Sequence, residues 1–115
     1  MNQVAEEAGW TTVCALGDIV PEGGVCALVD GEQVAVFRVG CELYAIDNVD
    51  PCSGAAVLSR GLVGNLGERV VVASPIHKQH FDLRTGECLE SPRHAVRTWR
   101  VRRQGDGVQV GRGGA

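Results

Sequence analysis

What most limits the folding choices of this chain is the shortness of its apolar runs: four to seven residues each, recurring from Thr12 to Val110 and bounded by Gly, Pro, Asp or Asn. None keeps a 3.6-residue period over the ten or so residues that a helix needs, so strands are expected throughout. The pattern predicts strands at residues 12–16, 24–29, 33–39, 42–47, 69–73, 79–82, 88–90, 98–103 and 107–110. Asp30-Gly31, Val39-Gly40, Thr85-Gly86 and Gly105-Asp106-Gly107 put glycine where a tight turn needs positive φ, so consecutive hairpins follow. Within 33–39, Val34, Val36 and Arg38 alternate with Ala35, Phe37 and Val39; within 42–47, Leu43, Ala45 and Asp47 alternate with Tyr44 and Ile46. One face of each strand must therefore be core. Many short antiparallel strands, with no helices to cover a parallel sheet, indicate an all-β fold, a small sandwich or barrel. At 115 residues there is material for one core.

Residues 48–66 break the pattern, with Asp50-Pro51, Ser53-Gly54, Gly61 and Gly64 marking a long loop of the functional kind and at most a helical turn at 55–59. No apolar run approaches the ~18 residues of a membrane span, and the acidic start MNQVAEEAG is not a signal peptide. With that start, five cysteines without CxxC spacing read as reduced thiols of a cytoplasmic protein. Cys14, Cys26 and Cys41, in or beside apolar runs, are expected to be buried. The net charge of −3 argues against general nucleic-acid binding. Charge is unevenly spread: residues 1–90 carry five basic and thirteen acidic side chains, residues 91–115 six and one. Arg93, Arg97, Arg100, Arg102 and Arg103 thus form a basic strip, read as a solvated strand face balancing nearby acids or as a partner-docking surface.

Two segments carry chemistry, Asp50-Pro51-Cys52-Ser53-Gly54-Ala55 and the run from Ser74-Pro75-Ile76-His77 through His80-Phe81-Asp82 to Thr85-Gly86. Cys52 and His77, with His80 and Asp50 near by, are competent zinc ligands, although their spacing matches no common zinc motif. A nucleophilic Cys52 would need oxyanion donors and an orienting third residue that cannot be identified. The structural reading is that Pro51 and Pro75 restrict the turns, Gly54 lets the loops approach, His80 is a partly buried strand residue, and Asp82 with Thr85-Gly86 makes a hairpin.

Together these segments resemble the two loops of the Rieske family, Cys-Pro-His-x-Gly-Ala and Cys-Pro-x-His-x-x-x-Phe-Asp-x-x-Thr-Gly, whose two Cys and two His hold a [2Fe–2S] cluster. The resemblance puts Asp50 and Ser74 at the cysteine positions, Cys52 at the first histidine and His77 at the second. One ligand in four survives, and a carboxylate and a hydroxyl are hard substitutes for soft thiolates, so a Rieske-like fold without its cluster is expected. Ser59-Arg60-Gly61, Val72-Ala73-Ser74-Pro75 and Lys78-Gln79-His80-Phe81-Asp82-Leu83 narrow the resemblance to the small subunits of assimilatory NAD(P)H-dependent nitrite reductases, a cluster-free branch of that superfamily. It extends over a Rieske-like domain at 10–110, between a flexible N-terminus at 1–9 and a flexible tail at 111–115. The resemblance implies a large-subunit partner that carries FAD, a [4Fe–4S] cluster and sirohaem and reduces nitrite to ammonium with six electrons. This chain would then have no catalytic residue, no metal and no cofactor of its own. It shows no GxGxxG between strand and helix, and no sirohaem ligand set. By analogy, the docking surface is the rim of the two loops: Asp50, Cys52, Ser53, Arg60, Ser74, His77, Lys78, Gln79 and His80. The alternatives are a Rieske-type [2Fe–2S] electron-transfer ferredoxin and a stand-alone cytosolic binding module.

Overall fold

The computed structural model describes residues 6, 7 and 9–113. Its strands are β1 (Glu6–Glu7), β2 (Trp10–Ala15), β3 (Gly23–Val29), β4 (Glu32–Val39), β5 (Glu42–Asp47), β6 (Leu62–Leu66), β7 (Arg69–Ala73), β8 (His80–Asp82), β9 (Thr98–Gln104) and β10 (Gly107–Gly111), with 3₁₀ turns at Leu16–Asp18, Leu58–Arg60 and Pro92–His94. All pairing between strands is antiparallel. One sheet runs β1-β2-β10-β9-β5-β4-β3 and curls until β3 returns beside β2, a nearly closed barrel; the second is β6-β7-β8. Asp30 and Gly31 both have positive φ in the two-residue hairpin between β3 and β4, as that turn requires.

Strand β4 explains how a short chain buries so much. Val34 and Val36 face the barrel interior with Ile19, Ala45, Trp99 and Val108, while Ala35 and Phe37 face a second core with Ile46, Leu58, Val72 and Phe81. Both faces of β4 are therefore core, not one, because the small sheet covers the outer face.

Other expectations also change. Residues 62–66, expected as loop, form β6, whose Gly64 and Asn65 have little strand preference but are held by pairing with β7. The helical turn falls at Leu58–Arg60 instead of 55–59. Residues 88–90 make only the bridge Phe81↔Cys88, since the Glu90 carboxylate takes the His80 amide at 2.8 Å in place of a backbone carbonyl. Cys26 and Cys41 are exposed, on the outward side of edge strand β3 and in the β4–β5 turn, and it is Cys88 that is buried. Of the termini expected to be flexible, Glu6–Glu7 pairs with Trp10 and Thr11, and Gly111 closes β10. Residues 1–5, 8, 114 and 115 lie outside the described residues.

Candidate functional site

The two singled-out loops meet at one end of the small sheet. The first leaves β5 through Asn48, whose buried side chain fixes the path: its amide donates to Gln33 Oε1 at 3.1 Å and its Oδ1 accepts from the Ser59 amide at 2.7 Å. The loop then folds back on itself, with Asp50 N donating to Ala55 O at 2.8 Å and Gly54 N to Asp50 O at 2.7 Å. The second loop joins β7 to β8 and is closed by Ser74 N to Gln79 O at 2.8 Å and Lys78 N to Ser74 O at 3.0 Å. Gly61 brings the two together: a Cβ there would lie 2.3 Å from Ala73 O, so only glycine permits the approach.

Between the loops, Asp50 and Ser74 are each 0% exposed, and the Ser74 hydroxyl donates to Asp50 Oδ2 at 2.6 Å. The Cys52 amide donates to the other carboxylate oxygen at 2.8 Å. Burial pushes the Asp50 carboxyl up, but hydrogen bonds from Ser74, Cys52 and Ser53 outweigh it and hold the group below its ordinary value. A second link runs from Gln79 Nε2 to Cys52 Sγ at 3.1 Å. Burial first, then the Asp50 charge, pushes the Cys52 thiol up, which opposes a nucleophilic role. Among the described residues no three His, Cys, Asp or Glu side chains are grouped as ligands of one metal ion.

The rim predicted from sequence is thus divided. Ser53, Arg60, His77 and Lys78 are exposed and Cys52, Gln79 and His80 half-buried, whereas Asp50 and Ser74 present no surface, since each satisfies the other inside. His80 is tied by Nδ1 to Glu90 Oε2 at 2.6 Å. Sequence reasoning missed Asn48, for which no pattern spoke, and the apolar element of the rim: Ile76 is 49% and Leu62 80% exposed, the latter opposite Ala73. An isoleucine beside Pro75 in a polar loop was a usable signal. The arginine strip is largely absorbed by neighbours: Arg97 pairs with Glu32 and Asp47, Arg103 with Asp106, and Arg100 and Arg102 lie over the Trp10 ring.

The model of the Rieske-like [2Fe-2S] domain matches residues 9–111. The chain belongs to that family. Within it, the chain is 43% identical over 103 residues to the nitrite reductase (NADH) small subunit of Escherichia coli strain K12, covering 88% of this chain and 95% of that one. A proposed NADH-dependent nitrite reductase small subunit from Mycobacterium tuberculosis superposes with a TM-score of 0.86 at 48% identity, covering 92% of this chain and 96% of the other. The chain is also 41% identical over 102 residues to the nitrite reductase [NAD(P)H] large subunit of Klebsiella oxytoca, covering 89% of this chain but only 11% of that relative's length. The family's name carries a [2Fe–2S] cluster, and the residues here do not fit it. At Asp50 and Ser74, the positions that the resemblance assigns to its two cysteines, stand oxygen groups, buried and bonded to each other.

Proposed function

We propose that this chain is the non-catalytic small subunit of a cytoplasmic nitrite reductase, docking through its loop rim to a large subunit that carries FAD, a [4Fe–4S] cluster and sirohaem. In that role it supports the six-electron reduction of nitrite to ammonium by NAD(P)H in nitrate assimilation, and it binds no metal or cofactor itself. The observation that carries this reading is the buried Asp50–Ser74 hydrogen bond, which joins the two loops through oxygen groups at the positions that the resemblance assigns to cluster cysteines. Similarity to separate small subunits and to a stretch of one large subunit favours contact between the two: a domain found both free and fused is one that works beside its neighbour. The rim suits docking because it sets exposed Ile76 and Leu62 among Arg60, His77 and Lys78, an apolar centre with a polar border.

The test is to measure iron and the visible spectrum after anaerobic reconstitution, then nitrite-dependent NAD(P)H oxidation with the large subunit. The expected result is a colourless, iron-free domain whose Arg60→Glu and Lys78→Glu variants support less activity. Stoichiometric iron with a [2Fe–2S] spectrum would make the chain an electron carrier instead. Unchanged activity of both variants would remove the rim from the docking role.

A further inference from the structure

The small sheet has an edge that the fold leaves open. Its order is β6-β7-β8, so β6 is paired on one side only. Sheet edges are commonly blunted by proline, lysine, a bulge or extreme shortness. β8, at the other edge, is three residues long, begins two residues after Lys78 and is bridged to Cys88. β6 has none of these devices: its five residues pair with β7 in unbroken register. Val63, opposite Val72, packs on the core under the sheet, so Leu62, Gly64 and Leu66 form the outward face. Leu62 is 80% and Leu66 44% exposed.

The sequence along this edge is nearly symmetric about Gly64. Leu62 and Leu66 lie two residues to either side of it, and Arg60 and Glu68 four residues to either side. The two charges are opposite and exposed, and neither forms a salt bridge among the described residues. Hydrogen-bond parity agrees with the side chains. Gly67 and Glu68 make a two-residue turn with positive φ at Gly67, which makes Leu66↔Arg69 a hydrogen-bonded pair. By alternation Leu62, Gly64 and Leu66 direct their backbone groups at β7, whereas Val63 and Asn65 turn theirs to the open edge.

We propose that two copies of this chain pair through β6, antiparallel about Gly64, joining their small sheets into one continuous sheet. Val63 of each copy then opposes Asn65 of the other, each pair exchanging both N–H···O bonds. Gly64 meets Gly64 in the non-hydrogen-bonded position between them, where Cα atoms approach to ~4.5 Å. On the outward face Leu62 lies opposite Leu66 of the other copy, and at both ends Arg60 lies toward Glu68. Five residues a side is small against the ~20–30 of a standard interface, so the dimer is weak and its population rises with concentration. The pairing does not rest on the small-subunit reading. Arg60 and Leu62 also belong to the loop rim, so a copy paired at β6 cannot dock through them, and self-association and rim docking exclude each other.

Sedimentation equilibrium of the whole chain over a concentration series tests the proposal. The expected result is a monomer–dimer equilibrium that Leu66→Lys and Asn65→Pro each weaken about tenfold or more. Asn65→Pro deletes an amide that faces the open edge, so the fold loses no hydrogen bond. If it fails to fold nonetheless, Leu66→Lys, at an exposed position, carries the test. Glu68→Arg should weaken the dimer most at low salt, and adding Arg60→Glu to it should restore the affinity. Gly64→Cys reads the register: ~4.5 Å between Cα atoms lies within the span of a disulfide, so mild oxidation should give a crosslinked dimer whose peptide map joins residue 64 to itself. A chain that stays monomeric at its highest soluble concentration overturns the proposal. So does a dimer that Leu66→Lys leaves at wild-type affinity, or one that oxidation of the Gly64→Cys variant links through exposed Cys26 or Cys41 instead of residue 64.

Discussion

Asp50 is fully buried yet held below its ordinary pKa, because the hydrogen bonds it accepts outweigh the cost of removing its charge from water. A carboxyl whose folded-state pKa lies below its unfolded value of about 4 contributes stability that is complete above that value and is lost as pH falls through the folded one. Ser74→Ala removes the 2.6 Å hydrogen bond and raises the folded pKa. The expected result is a loss of about 1–3 kcal/mol near neutral pH, together with acid unfolding that begins at higher pH than in the wild type. Urea denaturation at pH 7 and an acid titration followed by circular dichroism read both effects; an unchanged acid midpoint would show that Ser74 does not hold the charged form. At this scale the sequence was partly legible. Asp and Ser stood out as wrong for cluster ligands by chemistry alone. That they would bond each other and leave the surface depended on a fold-level juxtaposition across 24 residues of sequence, which no local pattern encodes.

Among the elements, β5 and β7 were read to the residue and the other long strands to within one or two, because alternation and glycine turns are local properties. The failures are the two-residue β1, β6 and residues 88–90, all settled by neighbours. β6 contains Gly64 and Asn65 yet pairs along its whole length with β7, and its position depends on Gly61, whose missing side chain lets the chain cross beside Ala73. Gly61→Ala places a Cβ 2.3 Å from Ala73 O, against backbone that cannot swing away. The strand pair or the Leu58–Arg60 turn must shift, at a cost of roughly 1–3 kcal/mol. Denaturation midpoints of this variant and of Gly64→Ala separate close approach from strand preference. At Gly64 an added Cβ meets nothing within 4 Å, so that change should be near neutral or stabilising. Equal effects at the two glycines would contradict the account given for Gly61.

For the molecule as a whole, two cores share two strands: β4 and β5 send Val36 and Ala45 into the barrel and Phe37 and Ile46 toward the small sheet. Neither core can dissolve without baring one face of β4, so the two should unfold together even though the small sheet contributes only three short strands. Val72→Ala, in the core under the small sheet, and Val108→Ala, in the barrel, should each cost about 2 kcal/mol or more and move one common transition. Tryptophan emission and far-ultraviolet circular dichroism supply independent probes, since Trp99 belongs to the barrel core and the backbone signal to both sheets. Coincident melts in both variants would mean that the loop rim and the barrel are held by one cooperative unit, so that a partner docking at the rim meets a rigid body. A Val72→Ala variant losing backbone signal while Trp99 stayed native would instead make the small sheet an independently melting part, with the rim free to disorder while the barrel persists.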